Sequence, residues 1–328
     1  MNNRCYYLDL TKVLATLLVI LGHVFPEDST VRFYIYAFHM PLFFLVSGIF
    51  HKCIGKINLK RYAQTLLWPT FICIILHILY GLLFRTHNIS YFWNLFFVDI
   101  LLGRHEGVFW FIFALFWCKV FMDIWGIFPR TTLLFIIWLL LLFIPILLNR
   151  RLPLHMTNGL MAFPFYIAGY LSKDYLLSKK PSTKYLLPFA FCLIFTVLIS
   201  LFHGRVSMMA VHFGQLAKSF GVEPMSVSIP ARLCFLCGDV ILFYLNGLIG
   251  SAMILCLSLL PFPEMPAVGK LSQSLITVLG TQFIFISLAF RLIGPVHTLW
   301  GAILLSIVVF ALCYGLHLIL RPVYRLVR

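Results

Sequence analysis

Long apolar runs, each followed by a short polar cluster, make up almost the whole chain. A helix needs about 20 predominantly apolar residues to cross the hydrocarbon core of a bilayer. The pattern therefore predicts an all-α, polytopic integral membrane helix bundle of about ten transmembrane helices. The predicted spans are residues 8–25, 33–51, 64–84, 107–125, 132–149, 159–177, 184–202, 232–260, 272–291 and 298–320.

Two apolar stretches depart from this regular pattern. Residues 89–103 are too short to span, which predicts an interfacial or re-entrant piece before the fourth span. The eighth span is long enough to be tilted or to begin on the membrane surface, and it carries Asp239 and Asn246. No break divides the pattern, so residues 1–328 are predicted to form a single transmembrane domain.

Composition excludes the main soluble classes of protein. Of the 328 residues, 62% are hydrophobic and 11% are charged, against about 25% charged residues in an ordinary soluble domain. The mean hydropathy is +1.00. These values exclude a soluble fold, a disordered chain, a coiled coil and a secreted disulfide scaffold. Because Asp9 and Lys12 interrupt the first apolar run, we expect no cleavable signal peptide.

The charge balance is strongly basic, with 25 Lys and Arg against 10 Asp and Glu, a net charge of +15. Such a balance can indicate nucleic-acid binding, but here the cations lie in short clusters between apolar spans. With ten spans, 15 cations fall on the side of the termini and nine on the other. Cytoplasmic loops carry the excess of cations. We therefore predict a multi-pass protein of the cell membrane, plasma or inner, with both termini in the cytoplasm and no nucleic-acid partner.

The cysteines do not indicate a metal site. There are nine of them, and the one close pair, Cys234 and Cys237, has no second pair or His tract to complete a zinc pattern. We interpret them as small buried hydrophobic residues and expect no metal.

The first span carries the strongest candidate chemistry, because ionisable residues inside a membrane are expensive and usually functional. Asp9, Lys12 and His23 fall within about 60° of one another at about 100° per residue, so they share one stripe of the helix. The stripe must face the protein interior or a wet cavity. Lys12 and His23 lie about 16 Å apart along the axis and cannot touch on one straight helix.

Each of these residues has a plainer interpretation as well. Asp9 and Lys12 could be an i,i+3 pair that only anchors the helix end, and His23 could be an ordinary interfacial histidine. Imidazole is nevertheless well suited to accept and return a proton. His39 opens the second span and should lie at a depth similar to His23, and Pro41 could kink that helix. The two histidines could be metal ligands, but no Asp, Glu or Cys with ligand spacing accompanies them.

Several segments resemble the membrane acyltransferase-3 family, and the first two are closest to its fucose and polysaccharide O-acetyltransferase branch. The matching segments run along the whole chain. They are Asp9-Leu10-Thr11-Lys12 with Leu17 through His23, Phe38-His39-Met40-Pro41-Leu42-Phe43-Phe44 with Ser47-Gly48, Val108-Phe109-Trp110-Phe111, Phe165-Tyr166-Ile167-Ala168-Gly169-Tyr170, and Gly269-Lys270-Leu271-Ser272-Gln273-Ser274-Leu275.

The resemblance implies an O-acyltransferase that moves acetyl from cytoplasmic acetyl-CoA to a hydroxyl of a surface polysaccharide or lipid-linked saccharide. It implies His23 as the catalytic base, with Asp9, Lys12 and His39 as further site residues. The chain departs from the family's pattern at two places. Many members have a His in the ninth span, where this chain has Gln282, and many have paired arginines in the second cytoplasmic loop. That loop offers Lys56, Lys60 and Arg61 instead.

The remaining predictions assign binding roles. Lys12, Lys56, Lys60 and Arg61 would form a cationic mouth for the phosphates of acetyl-CoA, although positive-inside topology alone accounts for them equally well. Trp110 or Tyr166 could line the acceptor cavity, or simply pack, and Gln282 would face the acceptor. The lipid bilayer and a carbohydrate acceptor are the expected partners. A transporter or flippase of a lipid-linked saccharide is the alternative function. Peptides and small molecules are alternative acceptors for acyl transfer. The sequence specifies no oligomeric state.

Overall fold

The fold is that of a computed structural model, which describes residues 5–26, 29–53, 55–84, 89–94, 97, 100–102, 109–127, 137, 152–209 and 241–325. All regular secondary structure in these residues is helical, which confirms the predicted all-α class for them. The α-helices are α1 Tyr6–Val24, α2 Thr30–Tyr36, α3 His39–Ile49, α4 Leu59–Tyr62, α5 Trp68–Leu83, α6 Ile89–Asn94, α7 Trp110–Ile127, α8 Met156–Leu171, α9 Lys173–Leu177, α10 Leu186–Met209, α11 Ile241–Ser258, α12 Pro266–Leu271, α13 Leu275–Ile293 and α14 Leu299–Arg325.

Seven helical stretches of the described residues are long and apolar enough to cross a membrane, against the ten predicted. They are Tyr6–Val24, Thr30–Ile49, Leu59–Leu83, Trp110–Ile127, Thr183–Ser200, Leu275–Ile293 and Leu299–Arg325. The predicted span 132–149 lies outside the described residues except at Ile137. The predicted span 159–177 appears as the 16-residue helix α8 followed by the short helix α9, and of the predicted span 232–260 the structure describes a helix from Ile241.

The second predicted span is broken near its start. A single helix was expected over 33–51, but α2 ends at Tyr36 and α3 begins at His39, with Phe38 in a non-helical conformation between them. Pro41 therefore lies in the first turn of α3. A first-turn proline is tolerated because its missing N–H would have had no partner within the helix. The break places His39 at the very start of α3.

A tight group of three helices, α3, α7 and α8, forms the larger core. An added Cβ at Gly48 of α3 would collide with the backbone carbonyl of Tyr166, and one at Gly169 of α8 would collide with that of Leu45. Small residues let membrane helices approach this closely. The neighbouring contact between α7 and α8 is similar, since a Cβ on Gly159 would lie 2.7 Å from Trp117.

A second group is formed by α5, α13 and α14, held by polar contacts between helices. His77 donates to the Gly280 carbonyl at 2.8 Å, and the Thr277 hydroxyl lies 2.9 Å from His317 Nδ1. Such contacts are favoured in membranes because hydrocarbon offers polar side chains no other partner. Helix α1 packs against residues of both groups and so lies between them.

Helix α1 defines the two ends of the bundle. At its start the Tyr6 hydroxyl donates to the Pro263 carbonyl at 3.0 Å, and the Tyr7 hydroxyl donates to the Leu176 carbonyl at 2.6 Å. At its other end His23 packs on Phe283, with ring centroids 4.4 Å apart. We call these the Tyr6 end and the His23 end.

Candidate functional site

Asp9 and Lys12 form an ion pair near the Tyr6 end. Lys12 Nζ lies 3.1 Å from Asp9 Oδ1, in the i,i+3 relation expected on one helix. The same ammonium lies 4.0 Å from the centre of the Phe50 ring, just beyond the end of α3. Asp9 is buried, so the pair faces protein rather than lipid. The stripe of α1 thus begins with a partly buried cation beside the C-terminal end of α3.

His23 lies at the opposite end of the same stripe, against α2 and α13. Its Nδ1 is 2.6 Å from the Tyr36 hydroxyl of α2, and its ring packs on Phe283 of α13. Among the described residues, His23 makes a hydrogen bond through Nδ1 and none through Nε2. A histidine held through one ring nitrogen can use the other to accept a proton.

His39 lies at the level of His23, on the other side of Tyr36. Its Nδ1 is 2.9 Å from the Ile35 carbonyl, and because a carbonyl can only accept, Nδ1 carries the proton and Nε2 is an acceptor. The Tyr36 ring lies 5.5 Å from the His23 ring and 4.8 Å from the His39 ring. We call Tyr36 with His23 and His39 the histidine pocket. It exists because the chain breaks between α2 and α3.

The predicted cationic residues of the second loop are exposed. Lys56 precedes α4, while Lys60 and Arg61 lie within it. The Asn58 side chain caps α4 by accepting from the Arg61 backbone N–H at 3.3 Å. These cations therefore lie at the capped start of α4, at the same end of α3 as Lys12.

Trp110 and Gln282 occupy different environments. Trp110 opens α7 and packs on Phe44 of α3, with ring centroids 6.5 Å apart. Gln282 is 1% exposed and precedes Phe283, the residue that packs on His23. Its Nε2 donates to the Leu279 carbonyl at 3.4 Å, and within the described part of the chain its Oε1 has no hydrogen-bond partner. A buried unpaired amide oxygen is uncommon, which marks this position for a role beyond packing.

Tyr166 does not lie in the histidine pocket. It is fully buried, and its hydroxyl is 2.8 Å from Nδ1 of His51, which follows the end of α3 while His39 begins it. Twelve residues separate the two histidines, about 18 Å if they were helical throughout. The contact between α3 and α8 thus carries the Tyr166 side chain toward the Tyr6 end, away from the histidine pocket, and the acceptor-facing role of Tyr166 stays a prediction.

A family model described as an acyltransferase domain matches residues 6–318, which includes Asp9, Lys12, His23, His39 and Gln282. The chain belongs to the acyltransferase-3 family. No curated protein and no solved structure matches the sequence. The match is to the family as a whole and supports a membrane acyltransferase without distinguishing the polysaccharide branch.

This acyltransferase has a second polar cluster, which the sequence interpretation missed. His51 Nε2 lies 3.2 Å from Oδ1 of Asp123, although the two atoms are not aligned as a hydrogen bond. The other carboxylate oxygen, Oδ2, accepts from the Tyr62 hydroxyl at 2.6 Å and from the Asn58 backbone N–H at 3.1 Å. We call His51, Asp123 and Tyr62 the Asp123 cluster. Asp123 is an acidic residue inside the predicted span 107–125. This unusual placement is the sequence signal that could have indicated the cluster.

The acyltransferase therefore has two polar regions along α1. The His23 end carries imidazole nitrogens suited to proton transfer, and the Tyr6 end carries cations suited to an anionic ligand. The two regions are separated by the length of α1 between Lys12 and His23, about 16 Å. Such a separation fits one extended reactant that enters at one end and reacts near the other.

Proposed function

We propose that this acyltransferase is an O-acetyltransferase of the cell membrane. It moves acetyl from acetyl-CoA, bound from the cytoplasm at the Tyr6 end, to a hydroxyl of a surface polysaccharide or lipid-linked saccharide at the His23 end. The observation that carries the proposal is the histidine pocket, set about 16 Å from Lys12 on the same stripe of α1.

In this proposal His23 is the general base. Its Nδ1–H donates to the Tyr36 oxygen, which leaves Nε2 to take the proton of the acceptor hydroxyl as the oxygen attacks the thioester carbonyl. The tetrahedral intermediate then collapses, the C–S bond breaks, and the CoA thiolate leaves and takes the proton from the His23 imidazolium. His39, with its acceptor Nε2, and Gln282, with its unpaired Oε1, are positioned to receive hydrogen bonds from the carbohydrate.

Transfer itself is the direct test of the function. Purified protein incubated with radiolabelled acetyl-CoA and a carbohydrate acceptor should pass label to the acceptor, and without acceptor it should slowly release acetate. A flippase of a lipid-linked saccharide needs no reactive base and would do neither. Mass spectrometry of surface glycans with and without the gene then identifies the acetylated sugar.

Lys12 should act on donor binding rather than on proton transfer. We expect Lys12→Ala, or Lys60→Ala combined with Arg61→Ala, to raise the KM for acetyl-CoA by at least about tenfold, the worth of one hydrogen bond to a charged group. Activity should recover at high donor concentration, because lost donor-binding energy appears as a raised KM. The measurement is a donor saturation curve for each variant.

Lys180→Ala is the matched control for that curve, since Lys180 is an exposed cation at the same predicted membrane face. Its KM should equal that of the wild type. If Lys12→Ala instead abolishes kcat and leaves the donor KM unchanged, Lys12 belongs to the chemistry or supports folding through Asp9.

Sidedness gives an independent prediction. A substituted cysteine at Lys56→Cys or Lys180→Cys should react with an impermeant maleimide only from the cytoplasmic side, and one at His297→Cys only from the opposite side. The reason is that α13 carries the chain from the Tyr6 end to the loop containing His297. Labelling of intact and permeabilised cells measures this. Reaction of Lys56→Cys and His297→Cys from one face would break the proposed relay across the membrane.

A further inference from the structure

Arg32 lies at the corner where the chain passes from α1 to α2. Its Nη1 donates to the carbonyl of Phe25, the residue that follows α1, at 3.3 Å. Phe25 is buried, and a buried carbonyl at a helix end needs a donor from outside the helix, because the helix itself supplies none. A cation is also favoured there, since the helix dipole is negative at this end. Arg32 therefore ties α2 to the end of α1.

The same guanidinium lies over the ring of Tyr36, one helical turn further along α2. The distance from Arg32 Cζ to the ring centre is 5.1 Å, within the range of a cation–π contact. A side chain that holds both the carbonyl after α1 and this ring restricts where the ring can lie. The ring is the one whose hydroxyl lies 2.6 Å from His23 Nδ1. Arg32 is thus connected to His23 through a single residue, Tyr36.

A glycine on α1 leaves the space that the Tyr36 ring occupies. Gly22 directly precedes His23, and an added Cβ on Gly22 would lie 2.6 Å from Tyr36 Cε1. A side chain at this position would therefore push the ring, and the hydroxyl with it, away from α1. The close approach at Gly22 and the tie from Arg32 are independent contacts, and both place the same ring beside His23.

We propose that Arg32 is a positioning residue for the general base. It holds Tyr36 against α1, so that the Tyr36 hydroxyl fixes the orientation of the His23 ring and leaves Nε2 for the acceptor proton. The inference rests on the proposed function, in which His23 takes that proton. Arg32 itself contacts neither reactant in this assignment. Its effect on rate comes from geometry, because misplacing a catalytic group by about 1 Å can cost about 10²-fold.

The test is the rate of label transfer from acetyl-CoA to the carbohydrate acceptor by the purified full chain in nanodiscs. We expect Arg32→Met to lower kcat by about tenfold, the worth of one orienting hydrogen bond. The KM for each substrate should stay within about twofold of the wild type, because no substrate contact is lost. Arg32→Lys should recover part of the lost rate, because an ammonium can also donate to a carbonyl and lie over an aromatic ring.

A double-mutant cycle with Tyr36→Phe measures whether Arg32 acts through Tyr36. If it does, Arg32→Met should lower kcat by less than about twofold in the Tyr36→Phe protein, because the hydrogen bond that Arg32 secures is already absent there. A residue that only supports the fold would lower kcat by the same factor in both backgrounds. The cycle therefore separates a positioning role from a structural one.

Arg291→Met is the matched control, because Arg291 also lies over an aromatic ring, 5.3 Å from the centre of Phe84, and is exposed near the end of α13. It should transfer acetyl at the wild-type rate. If Arg32→Met does not remain folded, as judged by its elution and melting profile, Gly22→Ala carries the same test from α1. Its methyl group displaces the Tyr36 ring directly, so it should lower kcat in the wild-type background and by less in Tyr36→Phe.

Three results would overturn the inference and leave the proposed function standing. The first is equal kcat in Arg32→Met and Arg291→Met while His23→Ala is inactive, which separates Arg32 from the base. The second is a full, additive loss from Arg32→Met in the Tyr36→Phe background, which makes Arg32 a support of the fold. The third is a raised acceptor KM with unchanged kcat, which makes Arg32 a contact to the acceptor itself. Absence of transfer by the wild type would remove the proposed function, and with it the base that Arg32 positions.

Discussion

His23→Ala should reduce acyl transfer by about 10²–10⁴-fold while leaving the amount of protein in the membrane unchanged. The expected size is the usual worth of a positioned general base. High donor concentration should not restore activity, because the lost step is proton transfer and not donor binding. The measurement is the initial rate of label transfer from acetyl-CoA, with membrane levels followed by immunoblotting.

His297→Ala is the matched control for this experiment, since His297 is an exposed histidine in the loop between α13 and α14. It should transfer acetyl at the wild-type rate. Tyr36→Phe should lower the rate less than His23→Ala, because it removes the partner that orients the ring and leaves the base itself. Near-wild-type activity of His23→Ala at normal membrane levels would remove the base assignment.

Gly48→Ala should destabilise the protein strongly although it adds only one methyl group. The added methyl group collides with the backbone carbonyl of Tyr166, which cannot move as a side chain can. Overpacking of this kind costs about 1–3 kcal/mol or more. We expect the apparent melting temperature of the purified protein to fall by roughly 2–5 °C, measured by the loss of monodisperse protein on heating.

Gly315→Ala on α14 is the control, because an added Cβ there meets no atom within 4 Å among the described residues. It should melt like the wild type or slightly higher, since alanine favours helix more than glycine does. Gly169→Ala, on the facing side of the same contact, should behave like Gly48→Ala. Equal melting of Gly48→Ala and Gly315→Ala would contradict the close approach of α3 and α8.

The sequence by itself was enough to predict the helical membrane class and the stripe of α1. Apolar length is a local property, so the stretches around Tyr6–Val24, Leu275–Ile293 and Leu299–Arg325 were located within a few residues of their ends. Helical phase is local as well, and it put Asp9, Lys12 and His23 on one face before any tertiary contact was known. The roles of these three residues stay predictions.

Contacts between helices depended on the tertiary structure, because no local period encodes which faces meet. The break before His39 set Tyr36 between the two histidines, a geometry that an unbroken span over 33–51 would not produce. Tyr166 contacts His51 and does not lie in the histidine pocket, because Gly48 and Gly169 let α3 and α8 approach at that level. The sequence shows that Asp123 and Lys119 are charged residues inside a predicted span. It does not show that they contact α4 and the residue after α3. Packing between distant segments decided those partners.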